Sequence, residues 1–176
     1  MTALRDWFHL VTDIGERPLA RTRQATAEER VELARELDVL SCDGLSVAYE
    51  ISPLSVGRYR FTGTLECDVA QACVITLEPL QAHLSEAFSI ELGPPGMLDD
   101  EPSDGGDREV LSIPDVEPIE DGRIEVGAMV HGVLSAAIEP YPRKSDAAFD
   151  WVDPKIEADA AATSPFAALA KLKPQS

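Results

Sequence analysis

Residues 45–51 carry the sequence LSVAYEI, and this stretch decides the predicted fold class. Its apolar side chains, from Leu45 to Ile51, occupy every second position, and polar or small residues stand between them. Such alternation is typical of a β-strand that turns one face to the core and the other to solvent. Because proline has no N–H for a neighbouring strand, we expect this strand to stop at Pro53.

Strands are also predicted on both sides of this stretch. Downstream, residues 59–69 form a second strand and residues 82–92 a last long one, with short breaks that favour an antiparallel meander. Upstream, residues 7–11 are apolar enough for a short first strand. Residues 15–24 are interpreted as a polar segment that carries three arginines.

Two amphipathic helices complete the predicted core. Thr26 stands three residues before Glu29, the pattern of a capping box at a helix start, and an apolar stripe follows it. Residues 126–138 place apolar side chains at the i, i+3, i+4, i+7 spacing of one helical face, and two prolines end that segment.

These elements predict an α+β domain, with an antiparallel sheet over about residues 45–92 packed against the two helices. The pattern leaves open whether the sheet closes into a barrel. The domain spans residues 1–142 and contains a long, mobile acidic loop over about residues 93–112, which is rich in Gly and Pro. Residues 143–176 are expected to form a mostly disordered polar tail that ends in a short helix, residues 164–173.

Acidic residues dominate the charge of the chain. There are 32 Asp and Glu against 15 Lys and Arg, a formal net charge of -17. Ten acidic residues and one basic residue lie between Asp99 and Asp121. A field of this sign repels polyanions at long range, so it disfavours non-specific nucleic-acid binding by the whole surface. It favours a basic protein partner, or an RNA contact through a local basic patch.

Two local basic pairs are the candidates for such a patch. Arg58 and Arg60 flank Tyr59 in a predicted strand, which places both guanidinium groups on one face. Arg143 and Lys144 follow the second helix. Arginines on a sheet face can bind phosphates, so these four residues are the predicted RNA contacts.

Catalytic motifs are not evident in the sequence. It has no glycine-rich nucleotide loop, no nucleophile elbow and no zinc-protease helix. The three histidines, His9, His83 and His131, stand in strand or helix patterns typical of structural residues. We therefore expect a protein without catalytic residues, small-molecule substrate or cofactor, and an enzyme is the least favoured reading.

The cysteines are predicted to be free thiols rather than metal ligands. Cys67 and Cys73 are six positions apart, about 20 Å along an extended strand, so they share a metal only if the chain turns back between them. With Cys42 they make an odd number, which does not fit a disulfide framework. The start of the chain lacks a secretory pattern and no stretch is long enough to span a membrane, so a reducing cytoplasm is expected.

Three segments, in order, resemble the YceD family, the large ribosomal RNA subunit accumulation proteins. Residues 68–88 (DVAQACVITLEPLQAHLSEAF) stand where that family carries its cysteine-centred strand turn. Residues 116–146 hold a short strand, an acidic turn and an apolar helix that ends in prolines. Residues 164–173 (SPFAALAKLK) are similar to the family's closing element. In order and spacing they span over half the chain, and residues 1–80 fit the family's strand–helix–strand opening loosely.

The resemblance implies a bacterial factor that supports 23S ribosomal RNA accumulation and large-subunit assembly without catalysis. Many relatives carry Cys-x-x-Cys at the turn, whereas this chain has Ala70 in the first of those positions, so no metal is assigned. The closing element of the family corresponds to four further candidate contacts with a partner or RNA: Pro165, Phe166, Leu169 and Lys173.

Two mechanisms remain open at this point. The protein contacts the large-subunit ribosomal RNA precursor through a basic patch, or it is an acidic escort that holds a basic ribosomal protein without touching RNA. The net charge favours the escort, because it attracts a cationic partner and opposes RNA. The family resemblance favours RNA.

Overall fold

Three long antiparallel strands form the middle of the structure, a computed structural model that describes residues 3–55, 57–95 and 116–148. The strands are β1 (His9–Leu10), β2 (Leu19–Gln24), β3 (Ser41–Ser55), β4 (Arg58–Ala72), β5 (Pro79–Gly93), β6 (Val116–Pro118) and β7 (Arg123–Ile124). The helices are α1 (Ala27–Glu36) and α2 (Val126–Ala137). Contacts divide the chain into two units, Met1–Lys144 and Ser145–Ser176, and all these elements belong to the first.

The main sheet has the order β2-β3-β4-β5-β6, and β1 pairs with β7 in a separate two-stranded sheet. All pairings are antiparallel except that of β5 with β6, which is parallel. The α+β class with two helices is therefore confirmed, and the sheet is mostly antiparallel as predicted. It is open rather than closed into a barrel, because its first and last strands do not pair.

Two details of the strand prediction were wrong. Pro53 does not end its strand: β3 runs on to Ser55, and a register shift beside Pro53 accommodates the missing N–H. Residues 19–24 (LARTRQ), interpreted as part of a polar segment, form edge strand β2. An edge strand keeps one side in solvent, so it tolerates arginines that a central strand would have to bury.

The core lies on one face of the main sheet, where the alternating side chains of β3 and β4 are buried. Gly63 of β4 leaves room there for aromatic packing. A Cβ at this position would lie 2.5 Å from the Ala48 carbonyl oxygen and 2.7 Å from the Phe88 ring. Phe61 packs at 4.8 Å from Phe88 and at 5.4 Å from Tyr49, measured between ring centroids.

Helix α1 begins with the predicted capping box. The Thr26 hydroxyl accepts a hydrogen bond from the Glu29 N–H, and the Glu29 carboxylate accepts one from the Thr26 N–H. The other Glu29 carboxylate oxygen accepts a hydrogen bond from the Trp7 indole at 2.9 Å. One carboxylate thus satisfies the helix start and the only N–H of the buried Trp7 side chain.

Helix α2 packs against the N-terminal segment so closely that only glycine fits at one position. The Gly127 N–H donates to the Trp7 carbonyl at 2.8 Å, and a Cβ at Gly127 would collide with the Leu4 carbonyl oxygen. At Gly132, by contrast, a Cβ would meet no atom within 4 Å.

Several predicted features lie outside the described residues: the acidic loop beyond residue 95, most of the polar tail and the terminal helix over residues 164–173. None of the described helices is long and apolar enough to cross a membrane.

The two glycines of α2 give a matched pair of substitutions. We expect Gly127→Ala to lower the free energy of unfolding by about 1–3 kcal/mol, because the new methyl group forces the helix away from Leu4. We expect Gly132→Ala to leave it unchanged or raise it by up to about 1 kcal/mol, since alanine is the better helix former. Urea denaturation followed by circular dichroism measures both, and equal effects would contradict the packing described here.

Candidate partner-binding surfaces

Arg58 and Arg60 lie on one face of β4, as predicted, but both are already paired with one carboxylate. Arg58 Nη2 lies 2.7 Å from one oxygen of Glu91 and Arg60 Nη2 lies 2.8 Å from the other. The hydrogen bond from Arg60, followed by the positive charges of both arginines, lowers the pKa of Glu91. A phosphate that binds here has to compete with Glu91.

The second basic pair lies at the opposite end of the same hairpin. Lys144 forms an ion pair with Glu78, in the turn between β4 and β5, and this bond lowers the pKa of Glu78. The neighbouring Arg143 is exposed. Glu78 and Glu91 are about 40 Å apart along the strand direction, at a rise of about 3.3 Å per residue. The four predicted contacts therefore form two separate sites rather than one patch.

Pro165, Phe166, Leu169 and Lys173 lie outside the described residues, as do the acidic residues from Asp99 to Asp115. Their proposed contacts stay predictions that rest on the sequence.

A third basic site lies on edge strand β2, and the sequence analysis did not select it. Arg21 and Arg23 are two positions apart, on the face of β2 that continues the buried side of the sheet. The Arg23 guanidinium lies 4.9 Å from the centre of the Trp7 ring, and it donates to the Asp6 carbonyl at 3.2 Å. Among the described residues, neither arginine forms an ion pair with a carboxylate.

His9 and Tyr49 lie beside these arginines and favour their neutral forms. The His9 ring lies within hydrogen-bond distance of the Tyr49 hydroxyl, at 2.8 Å. Burial lowers the pKa of His9, and the charges of Arg23 and Arg21 lower it further. The nearby Asp13 carboxylate opposes this pKa shift of His9. Burial also raises the pKa of Tyr49. The site therefore presents two guanidinium groups beside a neutral imidazole and a neutral phenol. We call this site, formed by Arg21, Arg23, His9 and Tyr49, the β2 basic site.

The period-two spacing of Leu19, Arg21 and Arg23 is the signal that could have identified this strand. It was missed because arginine occupies two of the three inward positions. A long side chain at a sheet edge can cover apolar surface while its charged end stays in solvent.

Cys73 closes the turn between β4 and β5. Its carbonyl accepts from the Leu77 N–H and its N–H donates to the Glu78 carbonyl, both at 2.9 Å. The thiol is fully covered. Hydrogen bonds from the Thr76 side chain and backbone, followed by one from the Lys144 backbone, lower the pKa of Cys73 from 9.0 to about 6. The turn thus favours the thiolate form of Cys73.

The other two cysteines contact each other, which the sequence did not predict. Cys42 on β3 and Cys67 on β4 are both buried, and their sulfur atoms are 3.2 Å apart. All three cysteines are free thiols.

The histidines contact acids or a phenol. His83 Nδ1 lies 2.8 Å from an Asp68 carboxylate oxygen, and His131 Nε2 lies 3.5 Å from one of Glu36. In the described part of the chain, no histidine ring is hydrogen-bonded to a serine, threonine or cysteine. Nor do three or more His, Cys, Asp or Glu residues of that part come together as a metal site.

The Cys73 thiolate makes stability depend on pH. Because the pKa is lower in the folded than in the unfolded chain, the thiolate stabilises the fold fully above pH 9 and loses this effect as the pH falls to 6. We expect the free energy of unfolding of the native chain, relative to that of Cys73→Ser, to rise between pH 6 and pH 9. Urea denaturation at both limits measures this, and a constant difference would argue against a thiolate.

Comparisons with known proteins give no relative. No family model matches the chain, and no curated protein or solved structure matches it either.

Proposed function

We propose that this protein is a non-catalytic factor that supports 23S ribosomal RNA accumulation and large-subunit assembly, and that it contacts RNA at the β2 basic site. The family assignment rests on the resemblance of three sequence segments. The RNA contact rests on one structural observation: Arg21 and Arg23 lie side by side on an edge strand without a carboxylate partner among the described residues.

The chemistry of the β2 basic site suits a phosphate backbone. Guanidinium groups donate two parallel hydrogen bonds to a phosphate, and their planes also stack on unpaired bases. Trp7 is buried, so its ring orients the Arg23 guanidinium rather than stacking on a base itself. The net charge of -17 repels RNA at long range. RNA is therefore expected to bind only where it directly contacts the two arginines.

The same reasoning ranks Arg58, Arg60 and Lys144 lower as RNA contacts. Glu91 offsets much of the charge of Arg58 and Arg60, and Glu78 does so for Lys144. RNA binding at either position first requires these ion pairs to open.

Ion pairs between basic and acidic side chains of this chain also favour the alternative function, an acidic escort for a basic ribosomal protein. Arg30 pairs with Asp43 and Arg123 with Glu125, in addition to the pairs above. A surface whose cations are neutralised in this way presents mainly its acidic groups. The acidic segment between Asp99 and Asp121 is the proposed docking segment for a cationic partner.

Two double variants with the same spacing and charge change test the RNA contact. We expect Arg21→Gln with Arg23→Gln to weaken binding of a fluorescein-labelled single-stranded fragment of 23S RNA by at least about tenfold, since each charge-assisted hydrogen bond contributes about 1.5–3 kcal/mol. We expect Arg58→Gln with Arg60→Gln to have a much smaller effect. Fluorescence anisotropy titration measures both, and circular dichroism checks that each variant is folded.

Salt dependence adds a second readout. For single strands, each lost phosphate contact makes the slope of log affinity against log salt shallower by about 0.7. In the Arg21/Arg23 variant, which loses two contacts, the slope is expected to become shallower by about 1.4. Equal losses in both variants would point to net charge alone, and no binding of RNA by the native chain would exclude the proposed contact.

The escort alternative makes the opposite prediction for acidic residues. Asp99, Asp100, Glu101 and Asp104 changed together to Lys should abolish co-purification of a basic ribosomal protein and leave RNA binding equal or stronger. Affinity purification from cells, followed by mass spectrometry of the bound proteins, measures this. Unchanged recovery of that protein would contradict the escort.

A further inference from the structure

The buried thiols of Cys42 and Cys67 form a pair with a geometry that simple core packing does not require. They are 25 residues apart in sequence, yet their sulfur atoms lie 3.2 Å apart on the buried side of the sheet. A disulfide bond is about 2.05 Å long, so a movement of about 1.2 Å joins the two sulfur atoms.

A β-bulge lies beside the two cysteines. On β3, Gly44 and Leu45 stand opposite the single residue Cys67, between the regular pairs Asp43–Asp68 and Ser46–Glu66. Gly44 has a φ of +64°, the left-handed conformation that glycine adopts without strain in such bulges. A bulge bends its strand and interrupts the ladder, so the backbone here can adjust more easily than in a regular pairing.

The two thiols are not equivalent. The two thiols are hydrogen-bonded to each other, and this bond lowers the pKa of Cys42 and raises that of Cys67. Burial and the Asp43 carboxylate oppose this effect on the pKa of Cys42, and the Arg30 guanidinium adds to it. Burial and the neighbouring acids raise the pKa of Cys67 further. Cys42 also lines a surface groove whose lining does not include Cys67, so position and pKa together assign Cys42 as the nucleophile of the pair.

Cys42 borders a groove that opens to the surface. A groove of about 340 Å³ lies between α1 and the first residues of β3, and Ala34, Val39 and Cys42 are among the residues that line it. Arg30 and Asp43, which form an ion pair at 3.2 Å, stand at the same groove. A small uncharged oxidant fits this volume, whereas a protein does not.

We propose that Cys42 and Cys67 are a redox-active dithiol that a small hydroperoxide converts into a disulfide. The Cys42 thiolate attacks the terminal peroxide oxygen, the O–O bond breaks, and the leaving alkoxide takes a proton to form an alcohol (water, for hydrogen peroxide). Cys42 is then a sulfenic acid. The Cys67 sulfur attacks the Cys42 sulfur, the S–O bond breaks, and the oxygen leaves as water with the Cys67 proton. Two thiols lose two electrons and one peroxide bond gains them.

The test uses the folded, reduced full-length chain and hydrogen peroxide as the probe. We expect the native chain and Cys73→Ser to lose the mass of two hydrogen atoms, and peptide mapping to show a Cys42–Cys67 disulfide in both. Cys73→Ser is the matched control, because it removes the third thiol and leaves the pair intact. Because Cys73 is itself buried, circular dichroism checks that Cys73→Ser is folded.

Two further variants separate the roles of the thiols. In Cys67→Ala, oxidation is expected to stop at a Cys42 sulfenic acid that dimedone labels. In Cys42→Ala, Cys67 is expected to remain reduced at the same peroxide concentration, with circular dichroism as the check on folding.

Two results would overturn the proposal. One is a native chain that keeps both thiols in the folded state and oxidises only after unfolding in urea. The other is a disulfide that includes Cys73. Either result leaves the proposed RNA contact untouched, because that contact depends on Arg21 and Arg23 alone.

Discussion

Burial of one face of the β3–β4 hairpin is the constraint on which the rest of this fold depends. Val47, Ile51, Phe61 and Leu65 are completely buried on that face. Because side chains alternate between faces, a slip of one residue would move all of them to the solvent side, so burial fixes the register of the hairpin. The N-terminal segment, α1 and α2 are then placed by the need to cover this surface.

The sequence predicts the elements whose pattern is local, and fails where the reason for a structure is distant. Alternation predicted β3, and the capping box predicted the start of α1 at Thr26. Strand β2 was missed because Arg21 and Arg23 occupy inward positions that become acceptable only at a sheet edge. Pro53 was misjudged because its irregular pairing depends on the partner strand, which a single stretch of sequence does not reveal.

The candidate site was harder to predict than the fold, because charge in a sequence does not show which charges are paired. Arg58 and Arg60 share a strand face as expected, yet both form ion pairs with Glu91, which is more than thirty residues away in sequence. The meeting of Cys42 and Cys67 depends in the same way on register. Spacing in the sequence points to Cys67 and Cys73 as the closer pair. In the structure Cys67 lies on β4, whereas Cys73 lies in the turn between β4 and β5.

The bulge at Gly44 has a consequence for insertions and deletions in this chain. Without Gly44, Leu45 would pair directly with Cys67, while Asp43 would keep its partner Asp68. Every side chain of β3 would still face the side it faces now. A chain without Gly44 would therefore bury the same apolar side chains of β3. The glycine affects the local bend of the strand and does not decide which residues form the core.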